Sequence, residues 1–275
     1  MTLDNNPLEI SIALERHEAE AWRCFAASAA RQANNPLGAV SEASHIVPLT
    51  AMTAINFAGF NRVIGLGIGN SPSNNDIDDI LEFYESRGQT RFSIEMVPST
   101  TPPDLKQQLV RRGFHPAPLT IVKSWRPLSE LPERRLSVPV VVLDDEQAGD
   151  WAKLHRSVRE APRMFGPWFS GAFGHPSFVH LGVFDGNELV AGAAMFVSDG
   201  LAWCGFSATL ESHRGRGLQT AIAIDRFYRA RDLGCHTAHV ENDPDTDEGP
   251  CIALRNMRNI GFRFLYEKIN LLSPE

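Results

Sequence analysis

Thr209-Leu210-Glu211-Ser212-His213-Arg214-Gly215-Arg216-Gly217-Leu218-Gln219-Thr220-Ala221 is the stretch on which the fold of this chain turns. Leu201 to Thr209 reads as a strand, and Ala221, Ile224, Phe227 and Tyr228 fall at helical spacing. Between them lies an Arg/Gly-rich turn. Gly215 and Gly217 tolerate positive φ and let the backbone come close to a ligand. A helix that begins at once leaves unpaired N–H groups and a partial positive charge at its start. With Arg214 and Arg216 alongside, the segment forms a cradle suited to a pyrophosphate. A plain glycine-containing turn with solvent-facing arginines is the alternative.

Outward from the turn, the second half alternates strands and helices. Val138 to Leu143 is a β-branched run, and Asp144 and Asp145 can cap a helix carrying Trp151, Leu154, His155 and Val158 on one face. Val179 to Phe184, Asp185-Gly186 and Leu189 to Val197 suggest a hairpin whose turn exceeds two residues. The helix after the turn ends at Gly234, and His236 to Val240 is a short strand. A further helix aligns Ala253, Met257 and Ile260 and stops at Gly261, before a last strand from Phe264 to Leu271.

The first half echoes this ending. Ile77, Ile80, Leu81 and Tyr84 mark a helix ending by Gly88, Arg91 to Val97 a strand, and Pro102 to Arg112 a helix closed by Gly113-Phe114; a strand starts at Leu119. Helix, strand, helix, Gly-Phe, strand thus occurs twice, with Gly261-Phe262 as the second pair, which reads as a duplication, the alternative being the rhythm common to any two α/β halves. Arg126 to Ser137, charged and bearing Pro127 and Pro132, reads as the linker. The expected domains are residues 1–128 and 137–275.

Arg214-Gly215-Arg216-Gly217-Leu218-Gln219 resembles the Arg/Gln-x-x-Gly-x-Gly/Ala signature of the GNAT N-acetyltransferase superfamily, with Gln219 at the last position. Leu254 to Phe262 is similar to that family's final helix and its Gly-Phe ending. The resemblance covers residues 138–271. It implies an α/β fold, in α+β arrangement: two tandem GNAT domains, each a mostly antiparallel twisted sheet flanked by helices. The first would be a degenerate copy, because Gly69-Asn70-Ser71-Pro72-Ser73-Asn74-Asn75 replaces the arginine-rich turn. The implied activity is transfer of acetyl from acetyl-CoA to the amine of a small or amino-acid-like acceptor, by direct attack in a ternary complex. The implied co-substrate site comprises Ser207, Ala208, Thr209, Arg214, Gly215, Arg216, Gly217, Leu218, Gln219, Thr220 and Asn256. No metal is implied.

Many family members place a tyrosine four residues before the glycine of Gly-Phe, to protonate the departing thiolate; here that residue is Met257. Tyr266 and Cys204 are substitutes, or the thiolate leaves unassisted, since a thiol of pKa about 8.5 is a tolerable leaving group. Glu241 and Glu211 are candidates for the base, with a solvated surface carboxylate as the alternative for each.

The 275 residues suit two domains, and a net charge of −7 argues against generic nucleic-acid binding. Residues 1–10 lack a signal-peptide pattern, and no apolar run suits a membrane helix. Cys24, Cys204, Cys235 and Cys251 form no CxxC pair, so a reducing, cytoplasmic compartment is expected, the chain acting alone or as a homodimer.

Other signals carry less. Gly65-Leu66-Gly67-Ile68-Gly69-Asn70 lacks dinucleotide-fingerprint spacing. His236 and His239, three apart on a strand, face opposite ways, and His155 reads as a core histidine. The aromatics and glycines from Met164 to Pro176 suit either a mobile acceptor wall or a loop packed on the first domain. A non-catalytic CoA-binding protein and a protein-modifying acetyltransferase remain alternatives.

Overall fold

The computed structural model describes residues 6–118, 120–131, 133–134, 136–247 and 249–274. Leu119, where a strand was expected to start, Pro132 and Arg135 of the expected linker, and the first five residues lie outside them. In chain order the first-half elements are α1 (Pro7–Ala30), β1 (Ala39–Glu42), β2 (Leu49–Met52), β3 (Arg62–Ile64), α2 (Asn74–Glu85), β4 (Ser93–Met96), α3 (Leu105–Arg111), β5 (His115–Pro116) and β6 (Val122–Pro127). The second half continues with β7 (Val141–Leu143), α4 (Ala148–Val158), α5 (Gly166–Phe169), β8 (Phe178–Asp185), β9 (Glu188–Ser198) and β10 (Leu201–Thr209). It closes with α6 (Leu218–Asp232), β11 (Thr237–Asn242), α7 (Ile252–Asn259), β12 (Arg263–Glu267) and β13 (Ile269–Leu272).

Two compact units result. One holds Ser124–Glu241 and Ile252–Arg263; the other holds Thr2–Lys123, Asn242–Cys251 and Phe264–Glu275. The division therefore differs from a single cut between residues 128 and 137. The single last strand expected from Phe264 to Leu271 is two strands, broken at Lys268, and the second of them completes the first-half sheet. There the order is β3-β4-β13-β5, with β13 antiparallel to both β4 and β5.

In this first-half unit the sequence reading passed over α1, although Asn6 caps it by accepting from the Leu8 N–H at 3.1 Å and Pro7 occupies its first turn. Helix α1 buries Glu15 and Glu18, and their counter-charges come from distant parts of the chain. Arg62 grips Glu95 through two bonds of 2.5 and 2.7 Å, and Lys123 bonds Glu18. Lys268 lies 2.7 Å from Glu15, 2.9 Å from Glu95 and 3.3 Å from Glu18. Glu15, Glu18 and Glu95 face Arg62, Lys123 and Lys268, and removing one member of such a set leaves an uncompensated charge, at about 3–5 kcal/mol. Lys268 is a break in an apolar strand because its ammonium belongs to this cluster.

In the second-half unit the strands follow one another as β6-β11-β10-β9-β8-β7. The β8–β9 hairpin closes through only two residues, Gly186 and Asn187, since Asp185 pairs with Glu188. Its turn is thus tighter than the sequence suggested; the alternation was obscured by a register shift between Val183 and Phe184. The β9–β10 turn is also two residues, Asp199 and Gly200, both at positive φ (49° and 75°), as a right-handed hairpin twist favours. Asp144 caps the turn into α4, accepting from Glu146 N–H at 2.9 Å. Helix α4 packs Trp151 on the sheet at Gly192, where a Cβ would approach the indole to 2.8 Å.

The two halves repeat one construction. Strands β3 and β4 are parallel across α2, and β10 and β11 are parallel across α6. Helices α3 and α7 end alike: Gly113 and Gly261 have φ of 90° and 91°, and the Phe114 and Phe262 N–H groups reach back to the Leu109 and Met257 carbonyls at 3.1 and 3.0 Å. Helices α2 and α6 end the same way at Gly88 and Gly234, with Gln89 bonding Tyr84 and Cys235 bonding Ala230.

Candidate functional site

Strands β10 and β11 pair in register from Leu201↔Thr237 to Cys204↔Val240 and then part, while β10 runs on to Thr209. Past the last paired step, β10 carries one extra residue relative to β9, between Gly205 and Ala208. Phe206 takes up that bulge at φ 50°, a conformation that a bulky side chain adopts only under constraint. The bulge turns Ser207 out of the ladder, and its carbonyl accepts from Arg159 at 3.1 Å. Ser207, Ala208 and Thr209 therefore line a strand edge that β11 has left.

Beyond Thr209 the chain makes a short 3-10 turn, Glu211–His213, and enters α6 through Gly217, which caps the helix at φ 74° with no side-chain cap bond. Gly215 is also left-handed, at φ 76°. A Cβ on Gly215 would meet nothing within 4 Å, and one on Gly217 only Ser137 Oγ at 3.9 Å, so this backbone faces open space. The first backbone bond into the helix is Ala221 N–H to the Gly217 carbonyl, 3.0 Å. Among the described residues, the N–H groups of residues 215–220 donate to no backbone carbonyl. They form a run of open donors at the positive end of a 15-residue helix. Arg214 and Arg216 are exposed beside it, Arg216 reaching the Ser212 carbonyl at 3.2 Å. His213 ties the turn to the β8–β9 hairpin through Asp185, 3.1 Å away, and Ser212 Oγ sits 2.9 Å from the other ring nitrogen.

Leu218 is buried and anchors the helix start, whereas Thr220 is exposed. Asn256 donates to Gln219 Oε1 at 3.4 Å, which brings α7 to the first turn of α6. Glu241 is half-buried and is the first residue of β11 past the last paired step, at the mouth of the split. Glu211 is exposed on the 3-10 turn. Tyr266 is elsewhere: in the first-half unit its hydroxyl donates to Glu15 Oε2 at 2.8 Å, and burial together with Glu15 holds its pKa far above the ordinary phenol value. Cys204 is buried, and burial raises its thiol pKa. Met257 packs in the core with Phe227, Phe262 and Cys204.

Sequence reasoning missed a second cluster beside the bulge. His155 is fully buried at the end of α4, and the Arg159 guanidinium lies 2.7 Å from its Nδ1. Burial, then Arg159 and His180, keep its pKa well below 6.5, so the ring is neutral; accepting at Nδ1 places its proton on Nε2. Phe169 stacks on His155 at 5.4 Å, and Trp168 packs against Phe206 at 5.2 Å. Part of the Met164–Pro176 loop is therefore an aromatic wall against the bulge. Nothing in the sequence announces Phe206 or Arg159, because their roles arise from a backbone irregularity.

No family model matches the sequence, and no curated protein matches it. Solved structures do. A GCN5-related N-acetyltransferase from Kribbella flavida superposes with a TM-score of 0.63 at 17% identity, over 86% of this chain and 90% of its own. A tandem GNAT protein from the clavulanic acid biosynthesis pathway gives 0.59 at 14% identity, over 98% of this chain and 95% of its own. A conserved protein of unknown function from Staphylococcus epidermidis gives 0.60 at 11% identity, over 87% and 95%. The chain carries the GNAT fold twice, in tandem.

The two GNAT copies differ at the feature that matters for anions. Helix α2 of the first copy is closed by a reciprocal cap: Ser73 Oγ accepts from Asp76 N–H at 3.2 Å, and the Asp76 carboxylate accepts from Ser73 N–H at 2.6 Å. Those bonds hold Asp76 below the usual carboxylate range, leaving a negative charge where the second copy has open donors. Counted from the matching glycines, Gly88 and Gly234, Glu95 occupies the place of Glu241. In the first GNAT copy that carboxylate is bound by Arg62 and Lys268.

Proposed function

We propose that the second GNAT copy is an acetyl-CoA-dependent N-acetyltransferase acting on the amine of a small or amino-acid-like acceptor. The observation that carries this reading is the run of open amides at residues 215–220, flanked by Arg214 and Arg216 at the mouth of the β10/β11 split. Those donors suit a pyrophosphate, and the unpaired edge of Ser207 to Thr209 suits the amide-bearing pantetheine arm. In the reaction, the acceptor nitrogen attacks the thioester carbonyl, a C–N bond forms and the C–S bond breaks. CoA leaves as thiolate and takes up a proton from solvent, and the surplus proton of the amine passes to a base. Glu241 is the candidate base, since it is the first residue of β11 past the last pair with β10, at the split.

A non-catalytic CoA-binding role is the second reading. The burial of Met257, at the position where the family's acid is expected, favours it. Calorimetry and thiol release separate the two. The proposal expects one CoA bound per chain, and free thiol from acetyl-CoA that depends on an added amine. Binding without thiol release across a broad amine panel would select the second reading; no CoA binding would overturn both.

A further inference from the structure

Arg159 is a cation with no carboxylate partner among the described residues, held against the bulge that adjoins the proposed acyl site. One guanidinium nitrogen donates to the Ser207 carbonyl at 3.1 Å and another lies 2.7 Å from His155 Nδ1. The group also lies over the Phe169 ring, 5.5 Å from its centroid. Three contacts fix its direction, yet the residue is exposed and keeps further N–H donors free. Its immediate neighbours offer no negative charge: His155 is neutral, and Phe169, Phe206 and Trp168 are aromatic. A guanidinium clamped among such groups lacks the anion that its planar fork matches best, a carboxylate.

We propose that Arg159 anchors a carboxylate on the acceptor, which makes the acceptor a free amino acid with an apolar or aromatic side chain. The inference rests on the acetyltransferase reading and narrows it. A carboxylate held by Arg159 sits beside Ser207, which suits an amine one carbon away attacking a thioester laid along the same strand edge. The wall of Trp168, Phe169 and Phe206 then takes the side chain, its surface aromatic apart from the Trp168 indole N–H. Arg159 also follows the C-terminal end of α4, where a cation is favoured for helix stability alone; the test must separate that role.

The test uses the whole chain with saturating acetyl-CoA, following thiol release with L-phenylalanine and L-leucine against their decarboxylated partners, phenethylamine and isoamylamine. The amino acids are expected to exceed the amines in kcat/KM by at least about tenfold. Arg159→Met should abolish that preference mainly through KM, and Arg159→Lys should retain part of it. The calorimetric Kd for CoA should stay within about twofold in both, which a merely structural loss would not allow. Equal kcat/KM for acids and amines, or a preference that survives Arg159→Met, would overturn the proposal while leaving the acetyltransferase reading intact. So would a carboxylate preference that appears in the donor instead, with succinyl-CoA outrunning acetyl-CoA on phenethylamine. Absence of thiol release with every amine tried would count against the acetyltransferase reading as well.

Discussion

Tyr266 donates its hydroxyl hydrogen to Glu15 at 2.8 Å, joining the last part of the chain to its first helix within one buried ionic cluster. That partnership assigns the hydroxyl to stability. Tyr266→Phe leaves a buried carboxylate oxygen with one bond fewer, at about 1–3 kcal/mol. The variant is expected to melt several degrees lower and to keep the wild-type pH profile of kcat. A falling alkaline limb that vanished in Tyr266→Phe would return this residue to the chemistry.

Acid should destabilise the fold well above the carboxylate range. Burial, aided by Lys123, lowers the His17 pKa to about 3, and burial alone lowers His180 to about 3. Unfolded histidines take up protons near pH 6.5, so between that value and about pH 3 the unfolded state binds more protons. Stability therefore rises with pH across the window and is lost as pH falls through it, by about 1.4 kcal/mol per pH unit for each ring. His155, also held neutral by burial, adds a third ring, so denaturant titrations at pH 6.5 and pH 5 are expected to differ by about 5 kcal/mol. His180→Gln should remove about a third of that difference, and an undiminished slope in the variant would contradict the assignment.

Much of this was legible from local chemistry. The turn from Arg214 to Thr220, the strand Leu201–Thr209 and both Gly-Phe endings lie where sequence placed them, because glycines at forced positive φ and amphipathic spacing act locally. The exchange of β13 into the first-half sheet was not legible. Its sequence, Ile-Asn-Leu-Leu, fits any half-buried strand, and only the buried Lys268 distinguishes its destination. Nothing local marks Lys123, Glu15, Glu18 and Glu95 as buried, since their pairing is set by contacts distant in sequence. Phe206 likewise gave no sign of its bulge.

The amide cradle predicts an order among variants. Gly217→Val places a β-branched side chain at φ 74° and in front of open donors, combining backbone strain with obstruction. Arg216→Ala removes one exposed charge, worth about 1 kcal/mol or less. Calorimetry is therefore expected to give at least a tenfold weaker CoA Kd for Gly217→Val, and less than about fivefold for Arg216→Ala. The reverse order would mean that side-chain charge, not backbone, holds the diphosphate.

A tyrosine in place of Met257 should not supply an acid in this chain. Met257 is 3% exposed, packed with Phe227 and Phe262. Met257→Tyr would bring a hydroxyl and extra volume into that core, for a loss of about 1–3 kcal/mol. A lower Tm with unchanged kcat is expected. Faster turnover with a new limb near pH 10 would show that the α7 face opens toward the thioester.

The base is the least constrained part of the mechanism, and Glu241 carries the strongest claim to it. It is the first residue of β11 after the pairing with β10 ends, at the start of the split where β11 leaves the edge of Ser207 to Thr209. Its counterpart Glu95 is a structural anion bonded to Arg62 and Lys268. Glu241→Gln is expected to lower kcat by about 10²-fold, the usual scale for general-base catalysis, and to flatten the rising limb of kcat/KM between pH 6 and 9. Glu211→Gln, on the exposed turn, should change kcat by less than about threefold, because a solvated carboxylate with no fixed partner gives little orientation. If Glu241→Gln keeps wild-type kcat across that range, the proton leaves the amine through water, and the split between β10 and β11 serves to position the thioester alone.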